Sequence, residues 1–238
     1  MVSVLPGDQD NSRVMEQEIT NAVIVSDLHI GLPQFHRLEF QDLVQSLGTD
    51  TALVLNGDTL DNPNRPLAET DQEVLDFIRD QSYKRTVIWL YGNHDEGYRI
   101  EDPGRSRFQR LLRIQDRLLV VHGDDFDQIM PRNQWFLRNI KRIHNLRVKL
   151  GASPVHVAEF AKRWFPFLYR ILTEEVRNNA VKCAIDNSVA AITCGHTHYV
   201  EDSLCEGVRY INTGAWTEIP LCYILLTQEK IELIASGR

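Results

Sequence analysis

Five short stretches carry side chains able to ligate a divalent metal or move a proton: Asp27-x-His29, Gly57-Asp58, Gly92-Asn93-His94-Asp95, His122 and His196-x-His198. Carboxylate, amide and imidazole donors suit borderline to hard cations, Mn2+ first, with Fe2+ or Zn2+ as alternatives. The set is too large for one tetrahedral ion and suits two. Two ions about 3.5–4 Å apart clamp the attacking and departing oxygens of an in-line displacement at phosphorus. His94 adds a titratable group, and Asp95 beside it a carboxylate able to orient the imidazole. One such motif could merely cap a strand end. Five in a single order point to a shared site. Of the eight histidines, five fall in these motifs, and His36, His144 and His156 read as surface or packing residues.

Each stretch follows an apolar run. Residues 21–26, 52–56, 86–91, 118–122 and 190–194 are apolar runs, that at 86–91 β-branched and aromatic, and predict buried strands. Rigid strands aim the loops at their ends toward one place. In extended chain, a single intervening residue puts Asp27 with His29, and His196 with His198, on one side. Between the first runs lie helical patterns. Phe40, Leu43, Val44 and Leu47 share a face, with Gly48 placed to end the helix, and Val74, Leu75 and Ile78 do so within residues 69–80. Alternation of strand and helix predicts a layered α/β fold. Residues 111–114 and 118–122 can pair as a hairpin, residues 130–187 read as a helical insert, and strands near 208–211, 221–226 and 231–234 close the chain. Residues 1–20 read as a polar tail and residues 21–238 as one domain.

A chain of 238 residues with 43% hydrophobic and 25% charged content is ordinary for a globular protein. Its net charge of −7 argues against nucleic-acid coating. Cys183, Cys194, Cys205 and Cys222 form no C-x-x-C pair and read as reduced packing thiols. The first twenty residues lack a basic start and an apolar run, and no stretch is long enough to span a bilayer, so a cytoplasmic location is expected.

The ordered set D-x-H, G-D, G-N-H-D, H and G-H-x-H resembles the calcineurin-like metallophosphoesterase superfamily, from about Ala22 to the C-terminus. The resemblance implies a four-layer α/β/β/α sandwich with a di-metal centre at the sheet edges. It implies one ion on Asp27, His29, Asp58 and His198 and another on Asp58, Asn93, His122 and His196, with Asp58 bridging. It also implies attack by a metal-bridging hydroxide. His94 would stabilise developing charge or protonate the leaving oxygen, held by Asp95 or Asp27. A non-enzymatic scaffold on this fold is the competing class, and its signature, eroded ligand positions, is missing from the motifs.

A narrower resemblance runs through Val121-His-Gly-Asp-Asp-Phe-Asp127, Cys194-Gly-His-Thr-His198 and Tyr210-Ile-Asn-Thr-Gly-Ala-Trp216. These stretches look like the UDP-2,3-diacylglucosamine pyrophosphatase group of lipid A synthesis, which implies a helical lid that receives acyl chains. Two departures stand out. His94 occupies a position where that group typically has Arg, and Gly57-Asp-Thr-Leu-Asp61 replaces its G-D-x-F-E segment. A soluble phosphodiester or phosphomonoester, such as a nucleotide, is the alternative substrate class.

Residues 131–170 hold nine Lys or Arg against one Glu, a formal +8 that leaves −15 for the rest of the chain. Aromatics are interleaved, and Pro166 should break a helix there. Such a segment suits peripheral contact with an anionic membrane, here the inner membrane, or a phosphorylated lipid, and equally an amphipathic helical pair whose aromatics pack on the sandwich and whose cations are solvated. Nucleic acid is the weaker partner, because no sequence-reading motif accompanies the charge. Arg99, with Arg105 and Arg107 after the G-N-H-D loop, could grip a phosphate by bidentate hydrogen bonds or equally be surface charges, and Arg132 and Arg138 of the insert are further candidates. Trp216 reads first as a packing aromatic, with a place in the substrate-cleft wall as the alternative.

Overall fold

Strand residues of alternating parity face opposite sides, and here both sides are apolar. In the computed structural model, which describes residues 19–98, 100–132, 134–151, 155 and 157–236, this produces two stacked sheets. β1 (Ala22–Val25), β2 (Ala52–Asn56) and β3 (Val87–Leu90) run parallel, flanked by β4 (Arg107–Gln109) on one side. On the other side lie the antiparallel β10 (Leu221–Leu226) and β11 (Ile231–Ser236), giving the order β11-β10-β1-β2-β3-β4. The second sheet has the order β5-β6-β7-β9-β8, from β5 (Leu111–Ile114), β6 (Leu118–Val121), β7 (Ala191–Cys194), β8 (Glu201–Cys205) and β9 (Val208–Asn212). β5 and β6 form the expected hairpin, while β6, β7 and β9 are parallel.

Three apolar layers follow from the alternation. Ile24, Val54, Ile88 and Leu90 of the first sheet meet Leu112, Leu118, Val120 and Ile211 of the second. Val23, Leu55 and Trp89 face outward onto Phe40 and Val44 of α1 (Arg37–Ser46) and onto Val74 and Ile78 of α2 (Glu69–Ser82). Leu119, Ile192 and Tyr210 face the other way. They pack against Ala180, Val181 and Ala184 of α6 (Pro166–Asp186). The result is α/β/β/α, and each fully buried aliphatic side chain contributes about 1.5–3 kcal/mol.

The insert comprises α3 (Ile129–Arg132), α4 (Gln134–Lys149), α5 (Val157–Trp164) and α6. Pro166 does break the helix: α5 stops at Trp164 and Pro166 sits in the first turn of α6, where its missing N–H costs nothing. The N-terminal tail, residues 1–18, lies outside the described residues, whereas Ile19 already packs into the inter-sheet core. All four cysteines are free thiols. No helix among the described residues is long and apolar enough to cross a membrane.

Candidate functional site

The five motifs lie at the C-terminal ends of β1, β2 and β3 in one sheet and β6 and β7 in the other. Their convergence differs from the extended geometry inferred from spacing. β1 stops at Val25 and β7 at Cys194, before any ligand. Asp27, His29, Asp58, His196 and His198 then adopt left-handed φ of 54°, 48°, 48°, 62° and 53°. Such a conformation costs a non-glycine residue of order 1–3 kcal/mol, so these turns are stored strain. Backbone bonds hold them: Asp27 N–H donates to Gly57 O at 3.1 Å, His29 N–H to Asp58 O at 2.9 Å and Trp216 N–H to Asp27 O at 3.0 Å. The Asn212 amide donates to Gly195 O at 2.8 Å, and Thr213 Oγ1 pairs with Ser26 Oγ at 2.7 Å, joining the turn after β9 to both ligand loops.

Close approach explains the glycines before Asn93 and His196. A Cβ at Gly92 would sit 2.2 Å from Asp58 Oδ1, and one at Gly195 2.1 Å from Asp27 Oδ2.

Two donor clusters meet at Asp58. Asp27 Oδ1 lies 3.3 Å from His198 Nε2 and 3.9 Å from His29 Nε2. The two imidazole nitrogens are themselves 3.1 Å apart. On the other side, Asp58 Oδ2 lies 3.3 Å from His122 Nε2, and Asn93 Oδ1 lies 3.1 Å from His196 Nδ1. Adjacent ligands of one ion at about 2.1 Å stand about 3.0–3.4 Å apart, and every one of these spacings except the 3.9 Å between Asp27 and His29 falls in that range. His122 Nε2 is buried and faces Asp58 Oδ2 without a well-aligned hydrogen bond among the described residues, as two ligands of one cation would. Asp27, His29 and His198 can hold one ion, and Asp58, His122 and His196, with Asn93 close by, a second. Asp58 and His29 also group with His94, which places Asp58 between the two clusters.

The ring nitrogens turned away from the centre are held by residues that sequence reasoning did not single out. His122 Nδ1–H donates to Asn56 O at 3.0 Å, and His196 Nε2–H to Asp127 Oδ2 at 2.9 Å. His198 Nδ1 faces Glu218 Oε1 at 3.4 Å, and His29 Nδ1 faces Asp61 Oδ1 at 3.7 Å. Such partners fix the tautomer and raise ligand basicity. Asp127 stood inside a quoted motif, but Glu218 follows no pattern that spacing could reveal.

Burial works against every charge here, and mutual pairing decides the outcome. Burial alone would raise Asp27, but His122 and His198 bring it down to about 2. Asp58 is held well below the carboxylate range, again against burial, chiefly by His122. His122 is raised well above an ordinary imidazole by Asp58 and Asp27 despite its burial. His198 is likewise raised, to about 9, chiefly by Asp27. His29 goes the other way, lowered by burial and by the His198 cation.

His94 is half-exposed at the mouth, its side chain 38% accessible, with Nε2 3.9 Å from Asp58 Oδ2. Its Nδ1–H donates to Asp61 O at 2.7 Å. Asp95 does not orient it. That carboxylate is fully buried and accepts N–H bonds from Gly92, Thr59 and the Trp89 indole at 2.8, 2.9 and 3.1 Å. Its place is structural, because three buried donors outcompete one exposed ring. Asp27 does not orient His94 either, since its oxygens face His198 and the His196 N–H. Trp216 is not a cleft wall: it is 1% exposed, packs edge-on to Phe40 and donates to Cys222 O. Its neighbourhood is apolar, and burial won. Arg99 lies outside the described residues, and Arg132 and Arg138 lie in α3 and α4 where side chains are not described. His144 packs against Phe160 and His36 pairs with Glu39; His156 lies outside the described residues.

Comparison with known proteins adds a family. The profile described as calcineurin-like phosphoesterase matches residues 20–200. No curated protein matches the chain. Among solved structures, a novel archaeal phosphodiesterase is similar at 13% identity and TM-score 0.48, over 91% of this chain and 99% of that one. The phosphoesterase Yfce from E. coli is similar at 17% identity and TM-score 0.43, over 90% and 98%. A cold-active protein tyrosine phosphatase is similar at 16% identity and TM-score 0.46, over 91% and 78%. Likenesses this distant carry no argument about substrate.

Proposed function

Because the chain belongs to the calcineurin-like phosphoesterase family, we propose that it hydrolyses a phosphoester or diphosphate bond with two divalent ions, Mn2+ in the first instance. The observation that carries this reading is Asp58, whose carboxylate stands between two separate sets of histidine and carboxylate donors. When bound, the ions supply charge neutralisation at the phosphoryl oxygens and a water acidified toward neutral pH. The chain supplies the rest. Asp27, His29, Asp58, Asn93, His122, His196 and His198 hold the ions. His94, open to the cleft and steered by the Asp61 carbonyl, is placed to stabilise or protonate the leaving oxygen. Turnover of an aryl phosphodiester in Mn2+ tests the assignment: Asp58→Asn and His196→Ala should each abolish it, and unchanged rates in either variant would sink the centre.

For the substrate we propose a lipid-linked diphosphate, of which UDP-2,3-diacylglucosamine is the example suggested by the narrower motif resemblance. Support comes from the insert. Ile143 and Leu146 of α4 are exposed, as is Leu150 just past its end at 79%, and Phe167 (73%) and Trp164 (62%) are exposed in the same insert. Arg142, Lys149, Arg163 and Arg170 are exposed among them. Apolar anchors rimmed by cations suit the surface of an anionic membrane. Co-sedimentation with anionic vesicles should occur for the native chain and be lost in Leu150→Ser/Phe167→Ser. Native protein left in the supernatant would favour a soluble substrate.

A further inference from the structure

The insert does more than cover the second sheet, because two of its hydrogen bonds end on the loop that carries His198 and a third contact ends on Glu218, which faces His198. Lys162 of α5 donates from Nζ to the His198 carbonyl. The same ammonium pairs with Glu218 Oε2 at 2.7 Å, while the other oxygen of Glu218 faces His198 Nδ1 at 3.4 Å. Tyr169 of α6 donates its hydroxyl to the Thr197 carbonyl, and Lys162 Nζ lies 5.8 Å from the centre of the Tyr169 ring. Lys162 and Glu218 are both largely buried, 24% and 12% exposed, so solvent screens the pair little. An unpaired ammonium or carboxylate at this depth is costly, which makes the two hold each other.

We propose that Lys162 is a positioning residue that couples the helical insert to the metal centre, by holding Glu218 on His198 and fixing the His198 turn. The inference rests on the di-metal reading above and adds to it the direction of control. Lys162 helps to keep Glu218 on His198, where the carboxylate raises the basicity of the ring, so docking of α5 strengthens one of the two metal sites. Linkage makes the effect reciprocal: an ion on His198 must in turn stabilise the docked insert. A substrate that engages the insert would thereby be sensed at the metals through Lys162.

The experiment uses the full-length chain, with Mn2+ as the probe. Titration calorimetry should give two sites in the native protein. In Lys162→Met one site should weaken about 10- to 100-fold, the usual scale for loss of a partner behind a ligating histidine, with the other unchanged. Lys162→Arg should restore most of the loss. Glu218→Gln, which keeps the side chain's size and lies outside the insert, should weaken the same site and guards against a folding defect in Lys162→Met. Amide hydrogen exchange should show α5 slowing on Mn2+ addition in the native chain but not in Lys162→Met. Two unchanged sites in both Lys162→Met and Glu218→Gln, or α5 exchange indifferent to Mn2+ in the native chain, would overturn the coupling alone. A native chain that binds no Mn2+ would overturn the metal reading and this inference with it.

Discussion

The Asp95 carboxylate accepts the Trp89 indole N–H at 3.1 Å, and through that bond the loop after β3 is pinned to its own strand. The same group also receives N–H bonds from Gly92 and Thr59. Asp95→Ala would leave three buried donors without a partner, each costing about 1–3 kcal/mol. The sum approaches the whole stability of a domain. Asp95→Ala should therefore unfold at much lower temperature or fail to accumulate as folded protein. A variant with native melting temperature and a selective rate loss would restore the orienting role that this geometry denies.

His94 behaves differently because it is exposed and its ring is held by a main-chain oxygen. His94→Ala should keep both ions and the native melting temperature while losing about 10²–10⁴ in rate, the scale of a general acid. Metal analysis and turnover on one sample check it, and loss of an ion in this variant would make His94 a ligand instead.

Glycine at position 92 answers to a steric demand. In Gly92→Ala the new methyl must displace Asp58 Oδ1, which it meets at 2.2 Å, or the Asp58 backbone nitrogen at 2.6 Å. We expect Mn2+ affinity to fall at least tenfold, with activity falling in parallel, and titration would show it. Unaltered affinity would mean that the loop relaxes freely.

The raised imidazoles make stability and metal binding oppose each other in pH. His198 is lifted from about 6.5 to about 9, so in the metal-stripped chain its pairing adds stability below pH 6.5. That stability is lost as pH rises toward 9. Asp27, lowered to about 2, adds stability above its ordinary range, which is lost as pH falls from about 4 to about 2. An ion must displace the proton on His198, so Mn2+ binding should tighten from pH 6.5 to 9 and release protons. Melting curves with chelator and calorimetry in two buffers measure the two effects, and affinity flat across this window would contradict the assignment.

Trp216 serves the core, so its loss should appear as instability. Trp216→Ala should cost about 3–5 kcal/mol in denaturant titration. Trp216→Phe should leave KM within twofold of native. A raised KM in a stable Trp216→Phe protein would return the residue to the cleft.

Much of this site was legible in the chain because its chemistry is linear. Ligands directly follow apolar runs such as residues 52–56, and burial of both strand faces makes those runs continuous. The outer partners were not legible. Glu218 reaches His198, and Asp61 reaches His94, through turns whose course depends on tertiary packing. β4 also escaped, because Arg107–Gln109 is three residues long and mostly polar, and pairs only at the sheet edge. The spacing of Asp27 and His29 predicted the right neighbours by way of extended chain, when left-handed turns bring them together. For Trp216 the structure bears out the packing reading, although residue type alone leaves a cleft role open because it cannot distinguish a buried ring from a lining one.

The central claim is that Asp58 stands between two ions, and counting metal at saturation tests it most directly. After Mn2+ loading and desalting, elemental analysis of the native chain should find two ions per molecule, and Asp58→Asn no more than one. A native chain holding one ion or none, or Asp58→Asn retaining two, would contradict the account.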